Sequence, residues 1–200
     1  METRDIFEQM AERYDTPERV ANAAIIAQAL RAALGETQGK RALDYGCGTG
    51  LVGLALCDVF GSMLLVDTSA QMVQVVARKI ANAGIKNAEV LCADFCSELP
   101  VGLQADTIIL SQVLLHVKDY PLLLKRLFSL LSSAGRLFIV DFDKNPAIVS
   151  DLVHNGFEQA ELITQLLAMG FSSATARTFH HGEKMFMKQD ASLFLLEATR

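Results

Sequence analysis

Five short apolar runs, each followed by a longer segment, are the feature that most limits how this chain can fold. They occupy residues 41–45, 62–66, 88–92, 105–110 and 136–140. Their interiors lack the alternation of a strand with one exposed face, which is typical of parallel strands buried on both faces. Strands that alternate with helices predict right-handed crossovers and an α/β fold, with a doubly wound sheet and helices on both faces.

Helical periodicity lies between and after these runs. The predicted helices cover about 50–59, 69–83, 119–132 and 157–169, and two later extended stretches cover 172–179 and 192–198. Ser69 stands at an N-cap position, and Gly84 stands where the same helix should end. The first 35 residues are also predicted to be helical, because Thr16 is an N-cap residue and Pro17 suits the first helical position.

Composition excludes several classes of protein. Of the 200 residues, 51% are hydrophobic, which is enough for a large core. No apolar run approaches the ~18 residues of a membrane span, and the first ten residues carry acids where a signal peptide is apolar. The four cysteines show no zinc-site spacing, so free thiols, no metal and a cytoplasmic location are expected. A net charge of -5 without a basic block argues against a nucleic-acid partner.

A glycine-rich loop follows the first run directly. It contains Gly46, Gly48 and Gly50, and glycines let a ligand lie against the main chain. Residues 48–53 also match the G-x-G-x-x-G pattern of dinucleotide-binding folds. Asp44, however, stands at the mouth of the loop, where a carboxylate repels a pyrophosphate and favours a ligand with an ammonium and a sulfonium group. The sign of this charge argues against a dinucleotide.

Two more acids follow the next two runs. Asp67 ends the second run, where an acid can accept hydrogen bonds from both hydroxyls of a ribose. Asp94 follows the third run, where it can accept a hydrogen bond from an exocyclic amine. One acid at a strand end is usually a helix cap or a solvated loop residue. Three acids after three successive strands, beside a glycine loop, indicate one shared ligand site.

The motifs LDYGCGTG (43–50), VDTSAQM (66–72) and ADF (93–95) resemble those of class I S-adenosylmethionine-dependent methyltransferases. The likeness is to the small-molecule group that includes ubiquinone- and menaquinone-biosynthesis enzymes. It implies a Rossmann-like sheet of seven strands, mostly parallel, with an antiparallel last strand. The stretches 172–179 and 192–198 would then pair through a loop at 180–190. It also implies a single domain over 1–200, with a helical cap (1–35) on a cofactor-binding core (41–200).

The resemblance also assigns residues to S-adenosylmethionine and its product, S-adenosylhomocysteine. The three loop glycines would lie against the methionine part, with Asp44 at its amino group and Asp67 at the ribose. The other implied contacts are Thr68 and Met72 at the adenine, Asp94 at its amine, the Phe95 backbone at its ring edge, Ser111 at the methionine end and Tyr14 above the site. Tyr45 departs from the family, which usually has a small or aliphatic residue at this position.

Methyl transfer from a sulfonium mainly requires alignment of the reactants and exclusion of water. A base is needed only where the acceptor loses a proton, and His116, just beyond the fourth run, is the candidate. Ordinary packing is the alternative role for this histidine. The chain has neither the Asn/Asp-Pro-Pro-aromatic motif of DNA amino-methylating enzymes nor a Cys-Pro nucleophile, so a small-molecule acceptor is expected.

Two other functions stay open at this point. Gly48 to Gly53 with Asp67 also suit an NAD(P)-dependent oxidoreductase. A regulatory protein that binds the cofactor without turnover is the second. For a methyltransferase, the length of the chain predicts that acceptor choice lies in residues 1–35, 141–157 and 180–190, and oligomeric state is not indicated.

Overall fold

Buried strands form the centre of the molecule, as the apolar runs predict. The computed structural model describes residues 3–200, and the side chains of all of these except 3, 4 and 6. Within that range, seven strands form one sheet in the order β3-β2-β1-β4-β5-β7-β6. The strands are β1 (Arg41–Tyr45), β2 (Ser62–Asp67), β3 (Ala88–Cys92), β4 (Ala105–Ser111), β5 (Leu131–Phe142), β6 (Ser173–Phe186) and β7 (Gln189–Thr199).

Six α-helices are found among the described residues. They are α1 (Thr3–Met10), α2 (Pro17–Leu34), α3 (Leu51–Leu56), α4 (Ala70–Ala83), α5 (Tyr120–Leu130) and α6 (Gln159–Met169). The predicted caps are confirmed: the Thr16 side chain accepts the amide of Arg19 at 3.4 Å, and the Ser69 side chain accepts the amide of Met72 at 3.1 Å. Residues 1 and 2 of the predicted helical cap lie outside the described residues.

Strand direction confirms the predicted fold class. β1 pairs in parallel with β2 and β4, β2 with β3, and β4 with β5. β7 is antiparallel to both of its neighbours, β5 and β6. The chain first builds the sheet outward through β2 and β3 and then crosses back to β4, so the strand order reverses between β1 and β4. Ligands bind at this kind of reversal in open α/β sheets, outside the carboxyl ends of the strands.

The expected loop at 180–190 is wrong, because strand pairing continues through most of it. His180 pairs with Leu193 and His181 with Ser192, and the hairpin closes only between Phe186 and Gln189. The ladder shifts register between Gly182 and Phe186, which makes an irregular hairpin tip. The Phe186 ring stacks on Phe142 at 4.4 Å, so the tip is packed against the end of β5.

The boundary between α5 and β5 also differs from its prediction. The predicted helix reaches residue 132 and the strand begins at 136, whereas α5 ends at Leu130 and β5 begins at Leu131. Leu131 pairs with Ala105 before the register shifts, and Ala134 has a positive φ of 57°. Because the pairing is irregular here, the first residues of β5 do not form an apolar run that would predict a strand.

Residues of β4 and β5 confirm that these central strands are buried on both faces, whereas β3 carries the exposed residues Glu89 and Cys92, so the prediction is wrong for the run 88–92. Consecutive residues 108–110 and 137–140 are each 0% exposed. No helix among the described residues is both long enough and apolar enough to cross a bilayer.

Candidate functional site

A cavity of about 680 Å³ opens at the carboxyl ends of the strands, beside the point where their order reverses. Its volume lies in the usual range for small-molecule sites, about 300–1,000 Å³. The predicted site residues that line it are Tyr14, Asp44, Gly46, Gly48, Asp67, Thr68, Met72, Asp94, Ser111 and His116. Gly50 and Phe95 are not among its lining residues. The sheet therefore brings together residues that lie far apart in the sequence.

The glycine loop is held tightly to the neighbouring strand. The amides of Gly46 and Cys47 both donate to the carbonyl oxygen of Val66, at 2.7 and 2.9 Å. Gly46 has a φ of +74°, and a Cβ there would lie 2.5 Å from the side chain of Val113. Gly50 has a φ of +79° and begins α3. The loop therefore requires glycine for its backbone conformation and, at Gly46, for space.

Asp44 is a buried acid with an unused oxygen. The residue is 1% exposed, and its Oδ2 atom has no hydrogen-bond partner. Burial and, to a smaller extent, the charge of Asp67 raise the pKa of Asp44 to about 7, although the amide of Gly53 lowers it. An ammonium group brought to this oxygen would compensate the buried charge.

Gly53, the third glycine of the G-x-G-x-x-G match, is explained by this carboxylate. A Cβ at position 53 would lie 2.4 Å from Oδ2 of Asp44 and 2.9 Å from the side chain of Leu65. The glycine thus makes space for a buried acid at the start of α3, where a dinucleotide fold would place a pyrophosphate. The pattern that favours a dinucleotide therefore has a different physical cause here.

Asp67 joins the glycine loop to the start of α4. Its Oδ2 accepts the amide of Gly48 at 2.8 Å, and its Oδ1 accepts the amide of Ser69 at 2.9 Å. Burial raises the pKa of Asp67, although these amides lower it. Asp94 is exposed, and its carboxylate accepts hydrogen bonds from the amide of Cys96 and the hydroxyl of Ser97, both at 2.8 Å. Both acids are oriented by backbone or side-chain donors of their own loops.

Tyr45 contacts Phe95 through its hydroxyl and its ring. Its hydroxyl accepts the amide of Phe95 at 3.1 Å, and the two rings pack with centroids 4.9 Å apart. The adenine contact expected for the Phe95 amide therefore requires Tyr45 to release it, and that contact stays a prediction. The unusual tyrosine at position 45 acts on this part of the site through a hydrogen bond as well as through packing.

The N-terminal segment covers the glycine loop. The Tyr14 ring lies 3.9 Å from where a Cβ of Gly48 would be, and the Arg19 guanidinium lies 4.3 Å from the centre of that ring. Asp15 accepts the Thr49 hydroxyl at 2.5 Å and forms an ion pair with Lys79 at 2.6 Å. Among the described residues that line the cavity, Arg19 is the single arginine or lysine. Sequence reasoning gave this arginine no part in the site.

The side of the cavity beyond β4 is mostly apolar. We call it the apolar half, and its lining residues are Phe7, Asn22, Gln112, Val113, His116, Val117, Phe142, Val153, Met185, Phe186 and Met187. The acid-lined half is the remainder around the glycine loop: Tyr14, Arg19, Asp44, Gly46, Cys47, Gly48, Thr49, Asp67, Thr68, Met72 and Asp94, together with Ala23, Ile26, Tyr45, Leu51, Val52, Cys96 and Ser111. None of the described residues of the apolar half is an Asp, Glu, Lys or Arg.

His116 supplies the titratable group of the apolar half. Its ring packs edge-on against Phe7 with centroids 5.1 Å apart, and its buried Nδ1 has no hydrogen-bond partner. Burial lowers the pKa of His116 to about 4, so the ring is neutral at neutral pH. It can therefore accept a proton or a hydrogen bond from a molecule in the cavity.

Asn22 and Gln112 form a second polar group that sequence reasoning missed. The Asn22 amide nitrogen donates to Oε1 of Gln112 at 3.1 Å, although the two residues are 90 positions apart. Gln112 has a φ of +55°, an uncommon conformation for this residue type. No local sequence pattern signals the pair, because only the packing of α2 over the end of β4 creates it. Within the described residues, no cluster of three or more His, Cys, Asp or Glu side chains could hold a metal ion.

Comparison with known proteins agrees with this geometry. A family model described as a methyltransferase domain matches residues 36–188. The ubiquinone biosynthesis O-methyltransferase of Xanthomonas euvesicatoria is 28% identical over 137 residues, which cover 68% of this chain and 55% of that protein. The enzyme of the same name from Coxiella burnetii is 28% identical over 163 residues, covering 81% and 67%. The chain spans about half the length of several curated relatives that it matches.

Solved structures share the fold. A SAM-dependent methyltransferase from Aquifex aeolicus superposes with a TM-score of 0.71 at 19% identity, covering 96% of this chain and 97% of the other. The family match spans the glycine loop, all three strand-end acids and the segment after β4. The chain therefore belongs to the methyltransferase-domain family.

Proposed function

We propose that this chain transfers the methyl group of S-adenosylmethionine to a small-molecule acceptor. The observation that carries the proposal is the unpartnered Oδ2 of Asp44, buried beside a glycine loop that leads to Asp67. A buried carboxylate oxygen without a partner is unfavourable, and a ligand that brings an ammonium group there would stabilise it. The methionine part of the cofactor carries such a group.

The chain's own residues fit this cofactor. Asp44 would hold its amino group, the backbone of Gly46 and Gly48 would lie along its methionine part, and Asp67 would bind its ribose hydroxyls. Thr68, Met72 and Asp94 line the wall where the adenine is expected. Gly50 would not contact the cofactor; it would support the site by allowing the turn at which α3 begins. When bound, the cofactor supplies an activated methyl group on a positively charged sulfur.

Arg19 completes the charge complementarity of the acid-lined half. It lies over the Tyr14 ring, which in turn lies against Gly48. Its position above the loop suits the carboxylate of the same amino-acid moiety whose ammonium faces Asp44. Ser111, at the end of β4, is proposed to contact the methionine end from below, and Tyr14 to exclude water from above.

The apolar half is proposed to bind the acceptor. Its walls carry no formal charge and are mostly aliphatic, aromatic or thioether groups. An uncharged, largely apolar acceptor suits such walls, because a phosphate or an ammonium would lose its hydration without compensation. His116 stays neutral at neutral pH and is placed to accept a proton from a hydroxyl of the acceptor. The curated relatives described above are O-methyltransferases by name, which supports the same choice.

The proposed location is the cytoplasm, and a nucleic-acid substrate is not proposed. The four cysteines are free thiols, which suits a reducing compartment. The net charge of -5 opposes the approach of a polyanion. A single domain that contains both the helical cap and the core remains part of the proposal.

Calorimetric titration with S-adenosylhomocysteine and with NADH tests the cofactor. We expect a response to the first and none to the second; tight binding of NADH alone would overturn the proposal in favour of an oxidoreductase. Turnover is then tested with methyl-labelled S-adenosylmethionine and a panel of phenols, matched amines and phosphorylated amines. Labelled aryl methyl ethers, formed by transfer to the phenol oxygen, are expected. Strong cofactor binding without turnover across a broad panel would instead identify a regulatory protein.

A further inference from the structure

A fully buried acid lies at the end of β5, where the predicted mechanism gives it no task. Asp141 is 0% exposed, and residues 137–140 before it and Phe142 after it are buried and apolar. Its Oδ2 accepts the amide of Leu115 at 3.3 Å, and its Oδ1 accepts the amide of Phe142 at 2.9 Å. Burial raises the pKa of Asp141 to about 7, and an aliphatic residue would fill the same space without this cost, which indicates a role for the polar group.

The carboxylate contacts the short helical turn that carries His116. This single turn of 3-10 helix spans Leu114–His116, and the amides of both Leu114 and Leu115 point to Asp141. Those amides are the first donors of the turn, which no residue within the turn can satisfy. Asp141 therefore holds the turn from the sheet side through two adjacent donors.

His154 contacts the carbonyl oxygens of the same segment. Its backbone amide donates to the carbonyl oxygen of Leu115 at 2.8 Å, and its Nε2 lies 3.0 Å from the carbonyl oxygen of Val117. The His154 ring also packs edge-on against Tyr120, at 5.5 Å. Asp141 thus accepts a hydrogen bond from a donor of the turn, and His154 contacts its acceptors. The His116 ring, by contrast, has an unpartnered Nδ1 and depends on this backbone for its orientation.

We propose that Asp141 is a positioning residue, which fixes the Leu114–His116 turn so that the His116 imidazole faces the acceptor. The inference rests on the proposed function, in which His116 accepts a proton from the acceptor. Asp141 itself is not among the residues that line the cavity. Its influence on the reaction passes through the backbone of the turn.

Asp141→Asn tests the role with the smallest change of shape. The amide keeps one acceptor oxygen but presents an N–H group to a backbone N–H, so it cannot hold the turn as the carboxylate does. Thr107→Val is the matched control, because Thr107 is also a buried polar residue of the sheet but lies among the walls of a separate depression, away from His116. Asp141→Ser is the second variant, in case the amide variant does not fold.

The first measurement needs no methyl transfer. The NMR signals of the His116 ring should shift and broaden in Asp141→Asn, and its titration midpoint should rise from about 4 toward the ordinary value of 6.5 as water reaches the ring. The His180 and His181 signals should not move, and S-adenosylhomocysteine affinity should stay within twofold. Unchanged His116 signals would overturn the proposal, whether or not the protein proves to be a methyltransferase.

The second measurement is a double-mutant cycle on turnover with an acceptor from the phenol panel. Asp141→Asn should lower kcat by about 10-fold to 100-fold, as small misplacements of reacting groups do, with little change in the KM for the cofactor. In a His116→Ala background it should lower kcat no further, because the residue acts through that ring. Equal losses in both backgrounds would overturn the proposal. So would the failure of both Asp141 variants to fold, since the residue would then be a structural requirement.

Discussion

The two halves of the cavity are built in opposite ways. The acid-lined half comes mainly from the ends of three strands that follow one another in the sequence, between residues 44 and 94. Its contacts are carboxylates, backbone amides and positive-φ glycines. The apolar half collects single residues from positions 7 to 187, and no Asp, Glu, Lys or Arg is among its described lining residues. The acid-lined half is defined by charged groups and backbone conformation, whereas the apolar half is defined by the shape of its walls.

This difference predicts different consequences of mutation. Changes in the acid-lined half should alter cofactor affinity, because charge-assisted hydrogen bonds there act on the ground state of a bound ligand. Changes in the apolar half should alter turnover and acceptor choice while the cofactor still binds. Any variant that affects both halves equally would show that they act as a single unit.

The largest effect is expected in the apolar half, for His116→Ala. Loss of the proposed proton acceptor should lower kcat by about 10²–10⁴-fold, the usual range for a general base, with unchanged affinity for S-adenosylhomocysteine. Steady-state kinetics and calorimetry measure the two quantities. His180→Ala is the control, since His180 lies on β6 and is not a lining residue. A normal kcat in the His116 variant would show that this histidine only packs in the cavity wall and does not act as a base.

The next effect belongs to the acid-lined half. Asp67→Ala should weaken S-adenosylhomocysteine binding by about 1–3 kcal/mol, because it removes the proposed ribose acceptor and frees the amides of Gly48 and Ser69. Titration calorimetry measures the loss. Asp58→Ala removes an exposed acid that pairs with Arg31 and should leave the affinity unchanged. Equal affinities for the Asp67 variant and the wild type would show that the ribose lies elsewhere.

A pH dependence of about tenfold is expected from Asp44. Its pKa of about 7 means that the carboxylate is mostly protonated at pH 6 and mostly ionised at pH 8. Because an ammonium group binds the ionised form, S-adenosylhomocysteine affinity should rise by about tenfold between these pH values. Asp44→Asn should bind weakly at both. A steep rise that persists in the Asn variant would assign the titration to another group.

The same acid should lower the stability of the ligand-free protein at high pH. Its pKa in the folded protein lies above the ordinary value of 3.8, so its contribution to stability is fully present below about pH 4 and is lost as the pH rises through 7. Asp44→Asn should therefore raise the unfolding midpoint at pH 8 more than at pH 5, measured by thermal denaturation. A lower midpoint for the variant at pH 8 would contradict this sign.

The smallest effect is expected where the N-terminal segment meets the glycine loop. Asp15→Asn weakens the ion pair with Lys79, and exposed pairs of this kind contribute about 0.2–1 kcal/mol. Dissociation of S-adenosylhomocysteine should become about twofold to fivefold faster in stopped-flow experiments. Glu12→Gln removes the pair with Arg78, which does not touch the loop, and should have no effect. Equal rates in both variants would show that the segment does not limit release.

The acid-lined half was largely predictable from sequence because each of its elements is a local signal. Asp44 lies near the end of the first apolar run, Asp67 ends the second strand and Asp94 follows the third, and parallel strands place their carboxyl ends at one edge. The exceptions come from packing. Tyr45 reaches Phe95 across the sheet, and Gly53 is required by a carboxylate nine residues earlier in the chain.

The apolar half was predicted only in part. The prediction that acceptor choice involves residues 1–35, 141–157 and 180–190 includes several of its lining residues, but the last of these segments is a strand hairpin rather than a loop. Asn22, Gln112 and Asp141 had no sequence signal. Each acquires its role from a partner at least 26 positions away.

The sequence by itself determined the class of sheet, the glycine loop and the three acids, because hydrophobic periodicity and short-range spacing depend only on neighbours along the chain. The tertiary structure alone decided the surroundings of those groups: the buried, unpartnered oxygen of Asp44, the neutral state of His116 and the hold of Asp141 on its turn. Burial and desolvation arise from residues that meet only after folding. The sequence therefore predicts the charge of the expected ligand, whereas the protonation states and orientations of the site residues depend on packing.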